Sequence, residues 1–152
     1  MLVNLLEEIR KREERYGDET NSPATEKEIR NFEEAVLGKF PLNELPKAYK
    51  EFLQNVNGLD FNGLVIYGID NNLLETEKDE EVYGFLETNE TWHENEYQKK
   101  YIFFGDSNTA WYCMDLIENE YLELDKLSGT LMNKYDDFDV MLADALKVSV
   151  DN

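Results

Sequence analysis

At Asn57-Gly58 the apolar residues of this chain change period, and that change narrows the folds open to it. Before it they recur at helical spacing. After it they run in short blocks bounded by turn residues. Asn62-Gly63 stands between Leu59-Asp60-Phe61 and Leu64-Val65-Ile66-Tyr67. A type I′ turn needs positive φ at both central residues, so Asn-Gly between apolar runs predicts a hairpin. Helices followed by strands predict an α+β fold. N-terminal helices pack on an antiparallel sheet, a hairpin plus a meander, and a C-terminal helix closes it.

Three helices are predicted before the change. Leu2, Leu5, Leu6 and Ile9 share one stripe of a helix over 2–15, which Tyr16-Gly17-Asp18 ends. A polar loop with Pro23 follows. Thr25-Glu26-Lys27-Glu28 has the form of a capping box and opens a helix with Ile29, Phe32, Val36 and Leu37 inward. Pro46 suits the first turn of a third helix, whose buried stripe is Leu45, Tyr49, Phe52, Leu53 and Val56.

After the hairpin comes the acidic run Glu75-Thr-Glu-Lys-Asp-Glu-Glu81. A helix is predicted from about Tyr83 to Tyr97, weakened by Gly84 and Asn89, with Leu86, Trp92 and Tyr97 inward. Strands are predicted over 101–104, 109–116, 121–125 and 129–135, then a helix over 136–148. The 152 residues suit one domain over 1–152 with one core.

The net charge of −19 repels nucleic-acid phosphates and anionic membranes and favours a basic protein partner. Residues 1–50 hold 9 basic and 11 acidic side chains, whereas 51–152 hold 6 and 23. One cysteine forms no internal disulfide, and no Cys/His set for zinc exists. Glu7 and Glu8 follow Met-Leu-Val-Asn-Leu-Leu at once, so no secretory leader is expected, and no apolar run reaches membrane-spanning length. A cytoplasmic location is expected, with no cofactor and no metal.

Two constellations invite a catalytic reading. Gly105-Asp106-Ser107 resembles the nucleophile block of a class of esterases, but no histidine follows His93 to serve as base. Cys113 and His93 form a conceivable dyad. Cys113 falls in an apolar strand, however, and a reactive thiol needs an exposed, electropositive setting. Gly, Asp, Ser and Asn are also what turns prefer, so 105–108 reads as a turn. Asp70-Asn71-Asn72 lacks the remaining spacing of a calcium loop.

The order of three segments resembles the SUKH superfamily, the Smi/Knr-type proteins. "LPKAYKEFLQNVNGLDFNGLVIYGID" spans 45–70, the helix around Thr88–Trp92 follows, and "YIFFGDSNTAWYCMDL" spans 101–116. Thr25–Phe40 fits the family's early helix. Pro46, Tyr49, Phe52 and Leu53 match its Leu-Pro helix, and Gly58, Gly68, Gly105 and Asp106 match its turns. The resemblance implies a domain without known catalysis. Bacterial members bind and neutralise a cognate toxin domain, often a nuclease, and yeast members regulate cell-wall synthesis and signalling. Immunity by stoichiometric occlusion through an acidic surface is therefore the leading expectation. A regulatory or scaffold module of the same fold is the alternative, followed by a small hydrolase using Ser107 or Cys113 with His93. The expected partner-binding acids are Asp60, Asp70, Glu75, Glu77, Asp79 and Glu81, then Glu118, Glu120 and Glu123.

Overall fold

The computed structural model describes residues 2–76, 78 and 80–151. Helices α1 (Leu2–Arg15), α2 (Glu26–Lys39) and α3 (Lys47–Asn55) come first. Strands β1 (Leu59–Phe61) and β2 (Leu64–Ile66) form the hairpin, and α4 (Phe85–Trp92) follows. Then β3 (Tyr101–Asp106), β4 (Ala110–Asp115), β5 (Tyr121–Asp125) and β6 (Leu131–Tyr135) form the meander, closed by α5 (Phe138–Asp151). The six strands make one antiparallel sheet in sequential order from β1 to β6. The expected α+β class is therefore the observed one.

The local signals act as their chemistry requires. Asn62 and Gly63 have φ of 49° and 84°, the two positive values the hairpin turn needs. The Thr25 hydroxyl accepts from the Glu28 amide at 3.1 Å, and the Glu28 carboxylate accepts from the Thr25 amide at 2.9 Å. The other Glu28 oxygen accepts from the Glu75 amide at 3.0 Å, so the cap also ties α2 to the segment after the hairpin.

Burial alone would raise the Glu28 carboxyl. The Thr25 and Glu75 amides and the Thr25 hydroxyl outweigh it and hold the group below its ordinary value. Its contribution to stability is thus present above the unfolded carboxyl value near ~4.3 and is lost as pH falls through the lower folded one. An amide offers one acceptor oxygen where the carboxylate offers two. Glu28→Gln is expected to cost about 1 kcal/mol at neutral pH, the usual scale of a cap. That deficit should shrink in acid, as read from urea midpoints at several pH values. A deficit independent of pH would remove the ionised carboxylate from this account.

An aromatic cluster joins the helices to one face of the sheet. Tyr49 of α3 and Phe138 of α5 meet Phe104 with ring centroids 5.1 and 4.8 Å away, and Tyr121 meets Phe138 at 5.9 Å. Phe103 and Trp111 point to the other face. There Trp92 of α4 lies 6.3 Å from Phe103 and 5.4 Å from Trp111. Arg12 of α1 donates to the Val150 carbonyl and so joins the two terminal helices.

The helix expected over 83–97 is shorter than its sequence pattern. Gly84 sits at its N-terminal cap, α4 ends at Trp92, and a 3-10 segment, Glu96–Lys100, takes over. Tyr97, expected inside, is 82% exposed on that segment. The last helix starts at Phe138, because the Asp137 carboxylate caps it by accepting from the Val140 amide at 3.1 Å. Among the described residues no helix is long and apolar enough to cross a membrane.

Candidate functional site: an acidic groove beside the hairpin

Asn21 gathers three chain segments at one end of the molecule. Its side-chain amide donates to the carbonyls of Asn57 and Glu81, both at 3.1 Å, and lies 3.4 Å from that of Gly58. Ser22 adds two bonds to one Glu80 oxygen, from its amide and its hydroxyl, each 2.8 Å long. The loop after α1 is thereby fastened both to the start of β1 and to residues 80–81. Gly17, at φ 78°, turns the chain out of α1 into that loop.

The result is a groove of about 400 Å³ carrying six carboxylates: Glu13, Asp18, Glu19, Asp60, Glu80 and Glu81. Among the described residues no lysine or arginine lines it. Nearby cations are already engaged, since Arg10 pairs with Glu7 at 2.7 Å and donates to the Asn55 carbonyl at 2.8 Å. Arg12 pairs with Glu8 at 3.1 Å. The crowding is visible in Glu13. Burial raises its carboxyl above the ordinary value, and the neighbouring Asp18 and Asp60 charges raise it further. A cationic group entering the groove would relieve that repulsion.

Of the acids expected from the sequence, Asp60 and Glu81 lie in this groove and are exposed. Glu77 and Asp79 fall outside the described residues. Asp70 differs from the expectation of an exposed acid. It is buried, and its two oxygens accept from the Leu86 and Glu87 amides, each at 3.0 Å, which caps α4. Glu75 faces α2, accepting from the Thr25 hydroxyl at 3.1 Å with Lys27 3.8 Å away. Glu118, Glu120 and Glu123 belong to the β4–β5 turn and β5, four strands from β1. Glu120 pairs with Lys134, and Glu123 accepts from Asn133 and Tyr135.

Glu13, Asp18, Glu19 and Glu80 were not among the expected site residues. The near-neutral balance of residues 1–50 conceals the first three, because Arg10 and Arg12 are spent on Glu7 and Glu8.

The catalytic constellations resolve into structure. Ser107 Oγ accepts from the Thr109 and Ala110 amides at 3.3 and 3.1 Å, which makes it a turn residue. Asp106 accepts from the Tyr67 hydroxyl and from Lys126 Nζ at 2.8 Å. The Tyr67 hydroxyl in turn accepts from Trp92 Nε1 at 2.9 Å. Cys113 is fully buried, and burial, helped by the Asp115 charge, pushes its thiol far up, away from the thiolate a nucleophile needs. His93 Nε2 lies 2.7 Å from the Tyr101 carbonyl, and its ring packs on Phe40 and Phe103.

Residues 23–142 match the SMI1 / KNR4 family (SUKH-1). The chain belongs to this family. The matched span runs from the loop before α2 into α5, so it takes in the Leu-Pro helix, the hairpin and the whole sheet. It leaves out α1 and part of the loop that shape the acidic groove of this SUKH-1 protein. Membership supports a binding or immunity-type role at the level of the family. No curated protein matches the chain.

Proposed function

We propose that this SUKH-1 protein is an immunity protein that binds a basic toxin domain, often a nuclease, and blocks it stoichiometrically without turnover. The observation that carries the proposal is the groove of six carboxylates with no lining cation among the described residues, in a chain of net charge −19. A nuclease presents cations where it holds phosphates, and an acidic surface competes for them. Like-charged grooves focus the field and raise association rates by about 10–10³-fold, an effect that salt removes.

Asp60 and Glu81 form the centre of the proposed face, joined by Glu13, Asp18, Glu19 and Glu80. Glu75, Glu77 and Asp79 belong to the same stretch of chain and extend it in this proposal. Glu118 with Glu120 and Glu123 would serve as a second, weaker patch at the far end of the sheet.

The reading expects a neighbouring gene for a secreted protein with a C-terminal toxin domain. It also expects a one-to-one complex with that domain. Asp60→Lys combined with Glu81→Lys should slow association by about tenfold or more at low ionic strength, with little change at high salt. Stopped-flow association of wild type and variant with the toxin domain measures this. Equal rates at low salt would move the interface elsewhere, and failure of co-expression to protect cells would end the immunity reading.

A further inference from the structure

The face of the sheet opposite α5 carries a second groove of about 360 Å³, different in chemistry from the first. Its floor is Phe103, Trp111 and Leu124, all buried. Tyr97, on the 3-10 segment, and Leu127, in the β5–β6 turn, stand at its sides with 82% and 98% of their surfaces exposed. Lys100 and Lys126 also line it, and among the described residues no aspartate or glutamate does. In a chain with 34 acidic residues and 15 basic ones, such a lining reverses the local sign. Lys126 is shared with Asp106 at 2.8 Å, whereas Lys100 has no carboxylate within salt-bridge distance among the described residues.

Trp111 supplies an independent observation. Its side chain is 8% exposed, and among the described residues its Nε1 is the buried side-chain polar atom without a hydrogen-bond partner. A buried indole N–H ordinarily finds an acceptor. At the side, Lys100 Nζ lies 5.2 Å from the Tyr101 ring centroid with no carboxylate partner among the described residues, and it calls for oxygen acceptors with negative charge. The exposed tyrosine and leucine call for an apolar cover, and tyrosine and tryptophan are the residues that most often anchor protein interfaces.

We propose that this groove docks an acidic segment of a partner protein, with one aromatic or aliphatic side chain held between Tyr97 and Leu127. Carboxylates beside that anchor pair with Lys100, above the floor that Trp111 helps to form. A second copy of this chain fits less well, since it would bring a whole charge of −19 against another, whereas a short segment brings only the few carboxylates beside its anchor. The docking surface is distinct from the acidic groove and does not depend on the immunity reading.

The probe is the capped peptide Asp-Glu-Phe-Glu-Asp, titrated into the full chain while the indole N–H signals are followed by two-dimensional NMR. Controls are Asp-Glu-Ala-Glu-Asp, Lys-Lys-Phe-Lys-Lys and sodium acetate. The acidic phenylalanine peptide should shift the Trp111 indole signal saturably. Lys100→Glu and Leu127→Asp, both at exposed positions that leave the core untouched, should each weaken it by about tenfold. No Trp111 shift at millimolar peptide would overturn the proposal, as would equal affinity of both variants. Preference for the lysine peptide, or an equal shift from acetate alone, would also overturn it. So would self-association of the chain through this face in sedimentation at the same concentration.

Discussion

Asn89→Leu is expected to lower stability by about 3 kcal/mol or more, although the change puts a better helix former on α4. Asn89 is fully buried, and its side chain is spent on β3. Its Oδ1 accepts from the Phe103 amide at 2.8 Å, and its Nδ2 donates to the Phe103 carbonyl at 2.9 Å. The ladder between β2 and β3 covers only Gly105 and Asp106, so Phe103 has no β2 residue opposite it. The asparagine amide does for Phe103 what another strand would have done. Leucine leaves a buried N–H and a buried C=O without partners, each costing about 1–3 kcal/mol. In a domain of this size the melting temperature should fall by roughly 6–12 °C. Urea midpoints and calorimetry read the effect, and a loss under 1 kcal/mol would mean that water or a backbone shift satisfies Phe103.

Asn89 also marks the boundary of what the sequence makes legible. The capping box at Thr25–Glu28 and the Asn62-Gly63 turn are written in adjacent residues, and the structure has both. So are the three helical stripes and the alternation of β5, where Leu122 and Leu124 are buried between half-exposed neighbours. Asn89 and Asp70 are of another kind. Each looks locally like a weak point or a free acid, yet each serves backbone groups that only the tertiary fold brings near. Propensity prices a residue against its own helix, and here the Phe103, Leu86 and Glu87 amides that these side chains serve lie at least 14 residues away.

The acidic groove divides in the same way. Asp60 and Glu81 stand out in the acid-rich part of the chain, while Glu13, Asp18 and Glu19 sit among cations. Which acid a given arginine neutralises depends on side-chain geometry, and a regional charge balance averages that away. Trp111 is core by burial. Its unpartnered N–H and its place on a groove floor appear only when the 3-10 segment and the strand are seen together, with Tyr97 and Leu127 beside it.

Gly105→Ala is expected to cost more than about 2 kcal/mol, from one added methyl group. A Cβ built at Gly105 would lie 2.5 Å from the Val65 carbonyl oxygen and 2.8 Å from Ile66 Cδ1. The isoleucine end can turn aside, but the carbonyl is part of β2 and cannot move alone. Two registered pairs, Val65↔Asp106 and Ile66↔Gly105, make up the ladder between β2 and β3. Forcing atoms into a packed site costs about 1–3 kcal/mol, and here the displaced atoms include the sheet's own ladder. The next residue carries the consequence further, because Asp106 holds Tyr67 and Lys126. Amide exchange should therefore quicken at Tyr67, whose N–H donates to the Phe104 carbonyl at 2.9 Å. Gly38→Ala is the matched control, since a Cβ there meets nothing within 4 Å and lies in α2. It should be neutral or stabilising by up to about 1 kcal/mol. Equal urea midpoints for the two variants would remove the close approach of β2 to β3 as the reason for glycine. The expected split instead makes Gly105 the residue that lets the hairpin join the meander, which is why a Gly-Asp-Ser sequence here marks a sheet junction.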